Sequence, residues 1–462
     1  MNQNQLKFIK KWENEGFSFC NVDWWPLIKI QICYQLALHE MNAKTYSNNF
    51  SESPLLHVPK FKFGFLKAYL KQLLSISKEK ANVAIFTDSK HKVTNFNNNI
   101  VNQYTDPFVY LFNDSAISYD VYDLNNNYRN PIIAKPIIQF FLRKVIKNFN
   151  LAIELQDKLW KMSLFLRRQV GNEVIDFYSL IANAIVKNQS IFLAYKLIFK
   201  KNIYKSILYY CYYNNDIMAI NRAGNLSKIK TIEYQHSQIS SEHLAYTNWS
   251  SIKPTSQQFF PSHIWSWRES DVKLLKLSFN PTNTLKAFRG GNVFAAMNNG
   301  KKVKYLNYIV VIVTLQGFGL PQFIIDFINH SINIFWYIRL HPRYPNDRLL
   351  AENIKKSNNT KVDIEDANKL SLYELFQKAD YNLTCYSGSA IEAQIFGVQN
   401  IIWGEKGYQT YKSHILNNSY FFVNNYSELN SILLNKRVCN STFDDPSVNL
   451  DDVKANIRKY FG

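Results

Sequence analysis

The sequence predicts an α/β protein built on parallel sheets. Three observations carry that reading. Between residues 302 and 404, β-branched and aromatic runs alternate with segments of helical spacing, the pattern of a parallel sheet whose crossovers are helices. The first half shows the same alternation less regularly, with apolar runs that stop abruptly in polar residues. The chain has 462 residues, 47% of them apolar, enough for two or three domains with large cores.

The elements of the second half follow in order. KVKYLNYIVVIVTLQ (302–316) predicts a strand closed by GFGLP, and PQFIIDFINH then has helical spacing. NIFWYIRL (333–340) predicts a second strand and TKVDIED (360–366) a short third. In SLYELFQKA (371–379), Ser371 and Glu374 have capping-box spacing. YNLTCYS (381–387) predicts a fourth strand, SAIEAQIFG a helix ended by Gly397, and QNIIWG a fifth strand. In the first half, NVAIFTDSKHK (82–92) predicts a strand ending at Asp88. SILYYCYYNND (206–216) predicts another, followed by a helix with Asp216 as its N-cap. IKTIEYQHS (229–237) predicts a strand ending in Glu233, Gln235 and His236, and residues 135–200 read as largely helical. The expected boundary lies near FFPSHIWSW (259–267). It gives an N-terminal domain of 1–262, a C-terminal domain of 263–435, and a tail of 436–462 expected to pack back on the first domain.

Composition bounds the partners. A formal charge of +19 implies an anionic partner: nucleic acid, a nucleotide, an anionic glycan or the inner membrane surface. No aromatic-rich basic motif of a nucleic-acid-binding module is present, so a non-catalytic nucleic-acid binder rests on charge alone. Five cysteines without a C-x-x-C pair argue against a disulfide framework and a zinc knuckle, as in a reducing compartment. The N-terminal stretch lacks the apolar core of a signal peptide. A cytoplasmic protein is expected. The basic amphipathic stretch at 60–80 reads either as a contact with the anionic inner membrane or as a helix packed on the following strand.

Ligands of parallel sheets bind beyond the carboxyl ends of the strands. Two clusters fall there in the second half. One is His341-Pro342 with Arg339 and Arg343 on either side, where guanidinium and imidazole can grip an anion. The other is Ser387, Gly388 and Ser389, small residues at a strand-to-helix turn that reads either as a phosphate site of amides and hydroxyls or as an ordinary Ser cap; Glu392, one turn on, could reach a ribose hydroxyl or complement the helix dipole. Gln316 and Gly317, at the end of the first strand, complete the expected nucleotide-binding set.

The order and spacing of these clusters resemble the nucleotide-binding half of GT-B glycosyltransferases of bacterial capsule and lipopolysaccharide assembly. Bacterial sialyltransferases, polysialyltransferases and Kdo transferases carry a His-Pro motif and a Ser/Thr-rich motif there. IKTIEYQHSQISSEHLAY (229–246) resembles the E-x-Q-H-G segment that closes the first domain of many such enzymes, with Ser237 in place of glycine. FFPSHIWSW resembles their P-x-x-ϕ-x-x-W-G strand, with Arg268 in place of its glycine. The resemblance covers about 205–435. It implies a GT-B fold, two Rossmann-like domains facing a central cleft. It also implies that His341, Pro342, Ser387 and Ser389 hold the phosphate of a CMP-activated sugar.

Glycosyl transfer requires stabilisation of a leaving phosphate and deprotonation of an acceptor hydroxyl. His341 is expected in the first role, and Asp88, Glu233 and His236 are the candidates for the second. The sequence has no D-x-D, so no metal site is expected. The expected function is transfer of a CMP-activated ulosonic acid (sialic, pseudaminic, legionaminic or Kdo type) to a glycan or lipid-linked glycan acceptor. No cofactor beyond the donor is expected. A CDP-polyol phosphotransferase of teichoic-acid-like polymers is the rival enzyme.

Overall fold

The computed structural model describes residues 3–40, 81–87, 92–94, 100–112, 116–120, 135–170, 175–201, 204–241, 243–247, 249, 252–279, 285–297, 308–317, 319–341, 344, 347–357, 361–435, 437–439 and 448–461. Asp88, Pro342, Arg343 and the amphipathic stretch at 60–80 lie outside them.

Two six-stranded, all-parallel sheets form the frame, numbered here as β1–β12. The first contains β1 (Val83–Thr87), β2 (Ala116–Asp120), β3 (Ser206–Tyr209), β4 (Lys230–Tyr234), β5 (His263–Ser266) and β6 (Lys286–Arg289), in the spatial order β6-β5-β4-β3-β1-β2. The second contains β7 (Ile309–Thr314), β8 (Ile334–Arg339), β9 (Val362–Asp363), β10 (Tyr381–Thr384), β11 (Gln399–Trp403) and β12 (Phe421–Val423), in the order β9-β8-β7-β10-β11-β12. Each is a Rossmann-like sheet with one switch point, between β1 and β3 in the first and between β7 and β10 in the second. The fold is therefore two Rossmann-like domains in the GT-B manner.

Local chemistry explains the elements. All six residues of β7, IVVIVT, are buried, as a central parallel strand covered on both faces requires. The helix Leu372–Lys378 starts at a complete capping box, Ser371 Oγ accepting from the Glu374 amide and the Glu374 carboxylate accepting from the Ser371 amide. Gly397 takes a left-handed φ of +66° just after the helix Ser389–Ile395. Two expectations need correction. The N-cap of the helix Asn215–Leu226 is Asn214, whose side chain accepts from the Asp216 amide; Asp216 pairs with Lys187 at 2.6 Å instead. The domain boundary is not at 262. β5 and β6 both pair in the first sheet, so the second domain begins after Arg289. Pro261 only opens β5. Strand propensity shows where a strand lies and not which sheet it joins.

One face of the first sheet is covered by an aromatic-rich helical layer that includes Lys135–Asn150, Phe177–Lys201 and Asn215–Leu226. The opposite face carries Val83, Ile85, Tyr234, Trp265 and Phe288. The same apolar cluster contains Ala390, Ile391, Ile402 and Tyr411 of the second domain, so the domains share a continuous dry contact. The C-terminal helix Leu450–Phe461 closes that cluster. Phe461 packs against Phe112 with ring centroids 5.0 Å apart, and Tyr460 stacks on Phe288 at 3.6 Å.

Candidate functional site between two parallel sheets

On the second domain the site grows from the β7–β10 switch point. Gln316, just past β7, accepts from the Tyr386 amide at 3.1 Å and so ties the two strand ends together. The next residue, Gly317, has φ +92°, and a Cβ there would lie 2.6 Å from the Tyr344 ring. Its amide donates to Asp347 at 2.7 Å. Tyr344 in turn packs 5.0 Å from the half-buried His341 ring. The loops after β7 and β8 are therefore locked side by side, with the imidazole at their rim.

Arg339 does not fit its expected role. Its Nη1 donates to the carbonyl oxygens of Ala367 (2.6 Å) and Leu370, and burial pulls its pKa down. A half-buried guanidinium needs acceptors, and this one finds them at the end of the helix Glu365–Lys369, where it anchors structure.

The Ser387–Gly388–Ser389 turn also departs from the expectation of a helix start with open amides. Gly388 is already wound helically (φ −55°, ψ −18°). The Ser389 amide donates to Ser387 Oγ, the Ala390 amide to the Ser387 carbonyl, and the Ile391 and Glu392 amides to the Gly388 carbonyl. Ser389 is buried, its Oγ 3.4 Å from Thr314 Oγ1 and 3.5 Å from Asn382 Nδ2. Its hydroxyl belongs to the polar ladder under the turn. Glu392 is buried too, accepts from the Tyr373 hydroxyl at 2.9 Å, and is pushed up to about 7 by burial. That geometry does not offer it to a ribose. The outer members of the turn are the half-buried Tyr386, Ser387 and Gly388. Sequence reading missed Lys406, an exposed cation 3.9 Å from the centroid of the Tyr386 ring. Lys406 lies on the helix Gly404–Leu416, and no local motif announces it.

On the first domain the corresponding end carries Glu233 and His236, with opposite exposures. Glu233 is fully buried. Its Oε1 accepts from the Tyr246 hydroxyl at 2.7 Å and the Tyr212 amide at 3.0 Å, and burial pushes it up to about 8. The turn it holds contains Cys211 in a left-handed conformation (φ +58°). That turn delivers Tyr213, whose hydroxyl lies 3.2 Å from His236 Nε2. His236 is half-buried among the rings of Tyr104, Tyr210 and Tyr213, with centroids 5.7–5.9 Å away. The buried Glu233 shapes this half-site, and His236 is the member that reaches the edge. Sequence reading missed the three tyrosines: Tyr210 and Tyr213 share the segment after β3, Tyr104 comes from a separate one, and no local pattern shows that they surround His236.

The two ends meet. A Cβ on Gly388 would lie 3.8 Å from the Gln238 amide nitrogen, and the Gln238 side chain donates to the Thr410 carbonyl at 3.2 Å. The loop after β4 and the turn after β10 thus lie against each other across the domain boundary. Among the described residues no cluster of His, Cys, Asp and Glu is arranged to hold a metal ion.

No family model matches the sequence, and no curated protein matches it. Solved structures do align over most of the chain. The UDP-GlcNAc 2-epimerase of Methanocaldococcus jannaschii aligns at TM-score 0.48 and 13% identity, over 82% of this chain and 98% of its own. The UDP-GlcNAc 2-epimerase of Neisseria meningitidis, bound to UDP-GlcNAc, aligns at 0.47 and 12%, over 83% and 99%. The wall teichoic acid polymerase TagF aligns at 0.40 and 10%, over 87% and 92%. Likeness at this level gives no ground for assigning an activity, since one fold hosts many. The class is set by the chain's own topology: a two-domain protein with paired Rossmann-like sheets and a polar seam between their strand ends.

Proposed function

We propose that the protein is a metal-independent glycosyltransferase of bacterial surface-polysaccharide synthesis. It transfers an ulosonic acid from its CMP-activated form to a hydroxyl of a glycan or lipid-linked glycan acceptor, with CMP as the leaving group. The observation that carries this reading is the meeting of Gln238 with Gly388. It joins the strand end bearing His236 to the strand end bearing Ser387, so that an acceptor held on one sheet and a nucleotide held on the other would react in one place. His341 supplies a donor to the leaving phosphate, and Lys406 adds positive charge beside Tyr386. His236, oriented by Tyr213, faces the acceptor hydroxyl. Among the described residues no helix is long and apolar enough to cross a membrane. In this reading the enzyme works at the cytoplasmic face of the inner membrane, where a soluble donor and a lipid-linked acceptor coincide. Specific nucleic-acid binding is not part of it.

A thermal-shift screen with CMP, CDP, UDP and GDP tests the proposal. A ligand that binds only the folded state adds RT ln(1 + [L]/Kd), about 2.7 kcal/mol at one hundred times Kd. CMP should stabilise most. Greater stabilisation by CDP would favour the polyol phosphotransferase, and by UDP would remove the ulosonate reading. Turnover of a CMP-sugar should survive EDTA; loss restored by Mg²⁺ would place a metal in the mechanism.

A further inference from the structure

Arg268 stands where the enzymes this chain resembles carry glycine, and the proposed reaction gives it no role. The residue is only 2% exposed. It grips Asp271 at two points, Nε to Oδ2 at 3.1 Å and Nη2 to Oδ1 at 2.7 Å. Both residues belong to the first domain. The remaining terminal nitrogen, Nη1, lies 2.9 Å from Nε2 of His414, on the helix Gly404–Leu416 of the second domain. A guanidinium only donates. His414 Nε2 therefore accepts, and the ring carries its proton on Nδ1, 3.3 Å from Ser413 Oγ. His414 is itself buried and stacks on Tyr420 at 4.6 Å.

This contact is wired into both half-sites. Asp271 Oδ2 also accepts from Gln235 Nε2 at 3.0 Å, and Gln235 Oε1 accepts from the Trp267 amide at 2.6 Å. Gln235 immediately precedes His236. On the other side, Tyr411 lies three residues before His414, at a kink in Gly404–Leu416 (φ −112°, ψ 19°), and its hydroxyl donates to the Ser387 carbonyl. The Thr410 carbonyl receives Gln238. A buried, directional chain thus runs from the strand end of His236, through Asp271, Arg268 and the helix Gly404–Leu416, to the turn at Ser387. A surface ion pair would hold this geometry loosely. A desolvated pair with a third partner holds it tightly, because hydrogen bonds shielded from water are stronger and more directional than those of an exposed pair.

We infer that Arg268 and His414 form an interdomain clasp that sets the separation of the two half-sites, with Arg268 acting as a positioning residue. The consequence for catalysis rests on the glycosyltransferase reading; the clasp itself does not.

Spin labels, introduced as an unnatural amino acid at the exposed positions Leu151 and Ile332 (79% and 73% exposed), report the distance between the domains. The wild type should give one narrow distance distribution. His414→Leu keeps both residues of the Arg268–Asp271 pair and removes the cross-domain acceptor together with the ring that stacks on Tyr420, so it should broaden and shift the distribution. His414→Gln supplies a side-chain carbonyl to the same guanidinium and should restore it. Arg268→Met should reproduce His414→Leu; should it fail to fold, the two His414 variants decide. A His414→Leu distribution identical to wild type, or a His414→Gln distribution as broad as that of His414→Leu, overturns the clasp. With a CMP-sugar donor, His414→Leu should turn over several-fold more slowly and His414→Gln near the wild-type rate. An altered distance with unaltered turnover overturns the link to catalysis. Absence of turnover in the wild type counts against the reaction alone, because the distance measurement still decides the clasp.

Discussion

At the carboxyl end of the first sheet the chemistry sits on rings: Tyr104, Tyr210 and Tyr213 surround His236, and a buried carboxylate, Glu233, holds the turn that brings one of them into place. At the corresponding end of the second sheet it sits on short residues and backbone. Gln316 ties two strands, Gly317 lets a tyrosine come close, and the Ser389 amide is met within its own turn by Ser387 Oγ. The first arrangement depends on side chains converging from distant segments. The second depends on backbone geometry that a single residue can set. Substitutions should therefore act differently on the two sides, through rates and proton linkage in one and through local strain in the other.

The largest effect is expected at His341, a half-buried side chain of the second half whose role backbone cannot replace. His341→Ala should lower turnover by roughly 10²–10³-fold, the scale for removing one donor to a developing negative charge. Thermal stability should change little, because the ring is only half-buried. Steady-state kinetics beside melting curves check this. A variant that unfolds, or turns over within a few-fold of wild type, makes His341 structural.

Glu233 sharpens the other side. Its carboxyl is raised from 4.5 to about 8 by burial. Between those values the folded protein keeps a proton that the unfolded chain has released, so stability falls as pH rises through that window. Glu233→Gln keeps an acceptor for Tyr212 and Tyr246 and removes this dependence. Relative to wild type it should gain stability at pH 8, on the order of a few kcal/mol, and little at pH 4.5. Denaturant titrations across pH 4.5–8 measure the slope. Some slope should remain, because Glu392 is raised in the same direction. Equal slopes in wild type and variant would mean that Glu233 is ionised in the fold.

Gly317→Ala tests backbone control. The left-handed φ of +92° and a Cβ 2.6 Å from Tyr344 should together cost roughly 1–3 kcal/mol and lower turnover by displacing the Tyr344–His341 pair. An unchanged melt would show that the loop relaxes freely. The smallest effect is expected at Ser389→Ala. Its hydroxyl makes only long contacts, 3.4 and 3.5 Å, inside the fold. Stability should change within about 1 kcal/mol and turnover within a few-fold. A hundred-fold loss of turnover would return Ser389 to the phosphate.

By itself the sequence determined many of the elements and the residues at their ends, though not the strands β2, β6 and β12. Buried runs such as IVVIVT, the capping box at Ser371 and the helix-ending Gly397 obey local rules, since hydrogen bonding and backbone sterics act within a few residues. His236, His341, Ser387 and Gly388 were legible for the same reason, as polar or small residues where apolar runs stop. Tertiary structure alone decided which sheet β5 and β6 join, and it turned Arg339, Ser389 and Glu392 inward. It also gathered Tyr104, Tyr210 and Tyr213 around one histidine and set Arg268 against His414, 146 residues away. Strand partners, burial and cross-domain hydrogen bonds depend on what the rest of the chain places opposite a residue, and no local pattern encodes that.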